Sequence, residues 1–287
     1  QDLPLLYTQL GYVYERTGDI VTAADFAFKV QNLGIALNDD KAIAMSYSDL
    51  SNLYWKSSDY KKGLELGLKS IEYFEKRNLN DMDYDFTLYV VGNNLLNLNR
   101  PLDALTYFER AISMGEQYGF YNNLSDIYIS MIDLYTELNE YESAEIVGDN
   151  AIKYANLIDN DFLLMRSYLA IGRLKLFQGK NKEAIDILNL SLDAATADFG
   201  DNFYLSQVYE RLGKAYAKSR KYKDAMEAMA ISDSLKKKVF LENSKQRMGL
   251  LQTENTLDEK EKMIQGMREK INRQNSTQTL ISIISGL

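Results

Sequence analysis

The sequence contains no cysteine and no histidine, and only two of its 287 residues are proline. Without cysteine and histidine the chain has no disulfide framework, no nucleophile paired with an imidazole base and no His/Cys zinc site. It also lacks EF-hand spacing, a phosphate-binding glycine loop and a nucleotide-binding fingerprint. The scarcity of proline favours long, uninterrupted helices. We therefore expect a helical protein that is not an enzyme and that holds neither a cofactor nor a metal.

Acidic residues outnumber basic ones, with 41 Asp and Glu against 33 Lys and Arg, for a net charge of −8. This balance argues against nucleic acid as a partner, because neutralising phosphates requires a basic surface. Hydrophobic residues make up 46% of the chain, which is enough for a substantial core. These totals favour a folded protein and argue against a general nucleic-acid-binding role.

An internal repeat of 40 or 41 residues runs through most of the chain. The stretch YTQLGYVYERTGDIVTAADFA near the start has a counterpart, YERLGKAYAKSRKYKDAMEAM, 202 residues further on. Three columns share this period. The first is mostly tyrosine and consists of Tyr7, Tyr47, Leu88, Tyr128, Tyr168 and Tyr209. The second contains four glycines and consists of Gly11, Ser51, Gly92, Ile132, Gly172 and Gly213. The third is small throughout and consists of Ala23, Gly63, Ala104, Ala144, Ala184 and Ala225.

Each repeat unit has helical apolar spacing that is interrupted by a short polar turn. In the first unit this turn is Thr17-Gly18-Asp19, and the apolar positions before it are Leu3, Leu6, Tyr7, Leu10 and Tyr14. The pattern predicts a hairpin of two antiparallel helices. Small residues in the second and third columns allow the two helices to approach closely. One hairpin cannot bury its apolar face alone, so we expect six of them to stack.

These residues resemble the tetratricopeptide repeat, whose pattern is W-x2-L-G-x2-Y, then A-x3-F, then P. Leu10 to Tyr14 and Leu212 to Tyr216 match the middle of the pattern, and Ala104 to Phe108 match the second helix. Tyrosine replaces the leading Trp, the final proline is missing and the period is longer than usual. Armadillo and HEAT repeats share the longer period but lack the Leu-Gly-x2-Tyr signature. The resemblance implies an all-α fold: a right-handed superhelical α-solenoid of six TPR-like hairpins over residues 1–235, followed by a long C-terminal helix over 236–276.

The same resemblance implies a ligand-binding groove on the concave face formed by the first helices. The position directly after the second column would face this groove, and it is occupied by Tyr12, Asn52, Asn93, Asp133, Arg173 and Lys214. Asparagine suits a peptide backbone, and Arg and Lys suit a carboxylate. The competing interpretation is ordinary solvated helix surface. Trp55 and Tyr89 flank the row, either as an aromatic shelf for a ligand or as packing between adjacent hairpins.

Two acidic runs, Asp81 to Asp85 and Asp159 to Phe162, stand between repeats. We expect them to cap the helices that follow, and a cation site is the alternative.

The C-terminal segment shows a different pattern, with Leu250, Leu257, Ile264 and Ile271 spaced seven apart. This stripe predicts a helix that forms a homodimer through a coiled coil. The alternative is a single helix that folds back on the last repeat. The uncharged run Thr279–Leu287 is similar to the start of a transmembrane helix, which we expect over 277–287, or else it is a short amphipathic end.

The order of these parts resembles the tetratricopeptide sensor region of bacterial membrane-anchored histidine kinases and helix-turn-helix regulators. This resemblance implies a sensor that binds a protein or peptide and passes the event through the C-terminal helix to an output domain beyond residue 287. It would place the repeats on the periplasmic side of the inner membrane, with a membrane anchor beyond residue 287. The alternatives are a soluble, cytoplasmic peptide-binding regulator, similar to quorum-sensing regulators with long repeats, and a constitutive assembly scaffold.

Overall fold

A computed structural model describes residues 3–16, 18–77, 80–195, 202–241 and 249–250, and all regular structure in these ranges is α-helical. The helices are α1 (Leu3–Arg16), α2 (Ile20–Leu37), α3 (Asp40–Lys56), α4 (Tyr60–Arg77), α5 (Met82–Asn97), α6 (Pro101–Tyr118), α7 (Tyr121–Glu137), α8 (Tyr141–Leu157), α9 (Asp161–Phe177), α10 (Asn181–Ala194) and α11 (Asn202–Lys218). A twelfth helix, α12, covers 222–241, and residues 249–250 are also helical.

Consecutive helices pair into six hairpins, as the repeat predicts. The turn inside each hairpin contains one residue with a positive φ, at Gly18, Ser58, Asn99, Asn139, Gly179 and Arg220. These positions are again 40 or 41 residues apart, so the left-handed turn residue forms a fourth column of the repeat. Only glycine adopts this conformation without strain, and asparagine tolerates it better than most other residues. Ser58 and Arg220, with φ of 65° and 62°, are therefore strained positions.

The acidic runs between repeats cap the helices that follow them, as expected. Asp81 accepts a hydrogen bond from the main-chain N–H of Tyr84 at 3.1 Å at the start of α5. Asn160 accepts from Leu163 N–H at 3.0 Å at the start of α9. Each cap satisfies one of the main-chain donors that a helix N-terminus leaves without a partner. Within the described ranges, no group of three or more acidic side chains is arranged to hold a metal ion.

The small residues of the second column have the predicted steric role. A Cβ added at Gly92 would lie 2.4 Å from Cε1 of Phe108, a fully buried side chain of the partner helix. A Cβ at Gly172 would lie 2.6 Å from Leu188 in the same way. Both glycines therefore allow the second helix of the hairpin to place a large apolar side chain directly against the first.

The first helices of the hairpins line one face of the solenoid. Helices α1, α3, α5, α7, α9 and α11 each contact the next first helix along the stack. The second helices α2, α4, α6, α8 and α10 make no comparable contact with one another in the described residues. Because the first helices approach each other more closely, the stack curves around them. We call the surface that they form the inner face.

Two residues of the C-terminal segment pack against the first repeat. Leu250 is 2% exposed and belongs to an apolar cluster with Ile20, Ala24 and Leu50. The neighbouring Gly249 lies so close to α2 that an added Cβ would be 2.3 Å from Cγ2 of Val21. Beyond repeat six the chain thus reaches the first repeat.

Helix α2 combines this contact with an unusual composition. By length and composition it is the one helix in the described ranges that is apolar enough to cross a membrane. In the structure it is the second helix of the first hairpin and contacts both α1 and α3.

Candidate functional site: the inner face

The row predicted to face a groove lies on the first helices, but its members differ in accessibility. Tyr12 is 57% exposed on α1, and Lys214 is exposed on α11. Asp133 and Arg173 are half-buried in the middle of the row. Asn52 and Asn93 are buried, with Asn52 8% exposed. The row is therefore not uniform solvated helix surface, and its two ends are the most accessible to a ligand.

The two asparagines of the row differ in the use of their amides. Asn93 donates to the carbonyl of Tyr89 at 2.9 Å, and its Oδ1 accepts from Oγ of Ser130 at 2.9 Å. Its amide therefore joins α5 to α7. For the Asn52 side chain no hydrogen-bond partner is found among the described residues. Of these two asparagines, Asn52 is the one whose side-chain amide can still donate and accept hydrogen bonds to a ligand.

Trp55 and Tyr89 contact each other, as both interpretations of this pair require. Their rings meet edge to face, with centroids 5.8 Å apart and planes at 88°. Tyr89 is buried, whereas Trp55 is half-buried. This geometry is favourable for an aromatic pair and links repeat two to repeat three. Trp55 is the member of the pair with surface left for another contact.

A largely buried arginine that the sequence analysis did not single out lies at the centre of the inner face. Arg166 on α9 forms an ion pair with Asp126 on α7 and interacts electrostatically with Tyr89 on α5. Its guanidinium also lies over the rings of Phe162 and Tyr204, 5.6 and 5.2 Å from their centroids. Burial opposes its charge, yet Asp126 and the neighbouring tyrosines raise the pKa of Arg166. Arg166 therefore links α5, α7, α9 and α11 through its side-chain contacts.

A second ion-pair cluster lies about two turns further along the same helices. Arg173 contacts Asp133 at 2.7 Å and Glu137 at 2.9 Å, and its guanidinium lies 5.5 Å from the ring of Phe177. Asp133 and Arg173 were both predicted to contact a ligand, but here they neutralise each other. A ligand in this region would meet a compensated pair instead of two free charges.

One contact crosses the inner face from the first repeat to the fifth. The guanidinium of Arg16, at the end of α1, lies 5.8 Å from the ring centroid of Phe162, at the start of α9. The two residues are 146 positions apart in the sequence. The solenoid curves enough for side chains to span it, so a ligand on the inner face would touch repeats on both sides.

The inner face near repeat two contains two interacting carboxyl groups, Asp49 and Asp83. Asp49 lies on α3 one turn before Asn52, and burial, aided by the charge of Asp83, raises its pKa to about 8. Asp83 itself forms an ion pair with Lys41 at 3.2 Å. Deeper in the core, Asp85 is 0% exposed, and burial raises its pKa to about 6 against the pull of a hydrogen bond from Asn123.

The opposite end, at repeats five and six, is a cavity of about 930 Å³ that we call the basic pocket. The pocket opens between α9, α11 and α12, and one carboxylate, that of Glu210, lines it. Its cationic lining residues are Arg173, Arg211, Lys214, Lys218 and Lys236. Its apolar lining residues are Leu176, Phe177, Phe203, Val239 and Phe240. Arg211 occupies the same repeat position as Asp49, two residues after the tyrosine column, so repeat six has a guanidinium where repeat two has a carboxyl group.

The predicted dimerisation residues lie mostly outside the described residues. Leu257, Ile264 and Ile271 do so, as does the predicted membrane segment 277–287. Leu250 is buried against the first repeat, where it is not available to a second chain.

Taken as a class, this protein has a tetratricopeptide-like helical repeat fold with its first helices lining a curved inner face. No family model matches the sequence. The chain is 27% identical over 104 residues to regulatory protein RapG of Bacillus subtilis (strain 168), which is 36% of this chain and 27% of that protein. The match thus spans about a quarter of that relative's length.

Several solved structures have a similar fold at low sequence identity. A Rap protein complexed with Competence and Sporulation Factor gives a TM-score of 0.63 at 13% identity, covering 88% of this chain and 75% of that one. The Rap conjugation gene regulator of plasmid pLS20, in complex with the Phr* peptide, gives 0.60 at 17% identity, covering 81% and 73%. Aspartyl phosphate phosphatase F from Bacillus subtilis gives 0.62 at 14% identity, covering 81% and 59%.

Proposed function

We propose that this chain is a peptide-binding regulator that holds a short, extended peptide on its inner face. The observation that carries the proposal is the mixed character of that face. It offers an exposed tyrosine at Tyr12, a half-buried ring at Trp55, an uncommitted amide at Asn52 and a cavity of about 930 Å³ at its basic end. Cavities of this size that combine apolar walls with a few polar groups are typical of ligand sites.

The physical basis is that an extended peptide presents main-chain donors and acceptors at regular intervals together with side chains on both sides. An amide such as that of Asn52 can satisfy one donor and one acceptor of the peptide backbone. The rings of Tyr12 and Trp55 supply apolar contact area at low cost in side-chain entropy. Because the groove is narrow enough for Arg16 to reach Phe162, a peptide within it would be enclosed from two sides.

The similar structures support the same proposal. One is a complex with Competence and Sporulation Factor and another is a complex with the Phr* peptide. The relative RapG is named a regulatory protein. We infer that binding is passed on through the contact between the C-terminal segment and α2, at Leu250. A peptide that changes the curvature of the stack would change the distance between repeat six and repeat one, and with it that contact.

The proposal is tested by selecting peptides from a displayed library of random seven-residue sequences on the immobilised protein. Enriched sequences are then synthesised, and their affinities are measured by calorimetry. We expect one peptide bound per chain. The variant Asn52→Ala should weaken binding about tenfold, since it removes a hydrogen-bonding group at the groove.

Asn32→Ala is the matched control, because Asn32 is exposed on the second helix α2. It should leave the affinity unchanged. Failure to enrich any peptide sequence would contradict the proposal. Equal effects of the two substitutions would show that the peptide does not lie along α3.

The membrane-anchored sensor remains a prediction from the sequence. It depends on the uncharged run Thr279–Leu287 and on whatever follows it, and these residues lie outside the described part of the chain. The similar structures favour the peptide-binding regulator, which was the alternative reading of the sequence.

A further inference from the structure

The basic pocket carries more positive charge than the structure neutralises. Its one carboxylate, Glu210, is shared between Lys214 and Lys236, and the Lys236 ammonium lies 2.7 Å from Oε2. Hydrogen bonds from Lys214 and then Lys236 lower the pKa of Glu210 to about 2, so this carboxylate stays ionised and fully occupied. Arg173 has its own acidic partners at the centre of the inner face. Arg211 and Lys218 are the two pocket cations that have no ion-pair partner among the described residues.

Arg211 is the more informative of the two because it is half-buried. It donates to the main-chain carbonyl of Gln207 at 3.4 Å, and no carboxylate of the described residues lies within 4.0 Å of its guanidinium. Burial and the like charge of Arg173 lower the pKa of Arg211 below the usual value for arginine, against the opposite charges of Asp133 and Glu210. Its hydrogen bond to Gln207 uses one of its five N–H donors, so the others are free to contact a ligand. An anionic ligand could pair with this guanidinium.

The walls of the pocket indicate what kind of anion fits. Phe177, Phe203 and Phe240 are all exposed at the pocket, with Phe240 70% exposed. Apolar rings beside cations suit a ligand that alternates carboxylates with apolar side chains, as an acidic peptide does. A polyanion such as nucleic acid would be repelled by the remainder of a chain with a net charge of −8.

We propose that the basic pocket selects an acidic peptide segment, in which one side-chain carboxylate pairs with Arg211, a second lies near Lys218, and an adjacent apolar side chain packs on the exposed phenylalanines. This inference rests on the proposed function and names the ligand chemistry of one end of the same groove. The planar guanidinium of Arg211 accepts a carboxylate in bidentate geometry, which gives orientation as well as affinity. The acidic part of the peptide therefore lies at repeats five and six.

The test uses four pools of fluorescein-labelled peptides on the full chain, with binding measured by fluorescence anisotropy. Each peptide has four randomised positions followed by Glu-Phe-Glu or Gln-Phe-Gln, and each version is made with a free C-terminal carboxylate and as the C-terminal amide. We expect the Glu-Phe-Glu amide pool to bind about tenfold more tightly than the Gln-Phe-Gln amide pool. A preference that follows only the C-terminal carboxylate would overturn the assignment to side chains.

Variants connect this preference to the pocket. Arg211→Gln should abolish most of the Glu-over-Gln preference, and Lys218→Gln, at an exposed residue that folding does not depend on, should reduce it two- to threefold. Lys223→Gln is the matched control, because it removes an exposed lysine of α12 that does not line the pocket. It should leave the Glu-over-Gln preference unchanged. Circular dichroism and a thermal melt establish that each variant folds.

The outcomes separate this inference from the proposed function. If no pool binds, the acidic-segment inference fails, and the library selection decides whether the proposed peptide binding fails with it. If all pools bind equally, or if Arg211→Gln and Lys218→Gln behave like Lys223→Gln, peptide binding stands and the acidic-segment inference is wrong. If inorganic phosphate or a ten-nucleotide oligothymidine displaces the peptides at equal concentration of charge, the pocket is a general anion site and the inference is also wrong.

Discussion

Replacing the buried Asp85 by asparagine should stabilise the protein increasingly as the pH rises. Asp85 is 0% exposed in the first turn of α5; its Oδ2 accepts from Asn123 at 2.7 Å, and its Oδ1 has no hydrogen-bond partner among the described residues. Burial raises its pKa from 3.8 to about 6. The folded protein therefore holds a proton that the unfolded chain releases, and stability falls as the pH rises from about 3.8 to about 6.

The size of the effect follows from the pKa difference. A shift of about two units at 1.36 kcal/mol per unit corresponds to about 3 kcal/mol of stability that is present below pH 3.8 and lost above pH 6. In Asp85→Asn the side chain does not titrate, and its oxygen can still accept from Asn123. The difference in unfolding free energy, variant minus parent, should therefore rise by up to about 3 kcal/mol between pH 4 and pH 7 and then level off.

Urea denaturation followed by tryptophan emission provides the assay. Trp55 is the only tryptophan, and it contacts Tyr89 on the helix that carries Asp85, so its emission reports on the affected repeats. Asp161→Asn is the matched control, an exposed carboxylate in the first turn of α9. Its difference from the parent should vary by less than about 0.5 kcal/mol over the same pH range. A pH-independent difference for Asp85→Asn would refute the reasoning, since it would mean that the buried carboxylate is fully compensated.

Three further experiments test the packing. Gly92→Ala should cost about 1–3 kcal/mol of unfolding free energy, because the added methyl group overpacks the contact with Phe108. Gly11→Ala should be neutral or stabilising, because the nearest atom to its added Cβ is 3.4 Å away. Equal urea midpoints of the two variants would contradict this. Arg166→Met alone should cost about 3–5 kcal/mol of unfolding free energy, because it leaves the Asp126 carboxylate without its partner. The double variant Arg166→Met with Asp126→Asn should recover part of that loss. Additive costs of the two substitutions would mean that the two side chains are not coupled. Leu250→Ala should speed amide hydrogen exchange in α2, and unchanged exchange there would mean that the C-terminal segment does not dock in solution.

The repeat itself could be predicted from the sequence because each of its features is local. Hairpin turns, helix caps and small residues at close contacts depend on neighbours within a few tens of positions. The run containing Asp81 therefore predicted a cap that the structure confirms, and Gly92 and Gly172 predicted close helix approach. The column of left-handed turn residues was not predicted. Glycine at Gly18 and Gly179 is compatible with a positive φ, but the residue type at Arg220 gives no indication of one.

The arrangement of the inner face could not be predicted because it depends on how much the stack curves. The contact between Arg16 and Phe162 joins repeats one and five, and no periodicity records it. Asn52 and Asn93 occupy the same column, yet only Asn93 has a neighbour, Ser130, whose hydroxyl donates a hydrogen bond to its Oδ1. The one available signal was charge, since Asp126 and Arg166 stand 40 residues apart in one column of adjacent repeats.

Hydrogen–deuterium exchange, with and without a saturating selected peptide, tests the central claim most directly. If the peptide lies on the inner face, protection should concentrate in the first helices, above all α3, α9 and α11, while α4, α6 and α8 change little. Protection confined to the second helices would place the ligand on the outer surface and contradict the account.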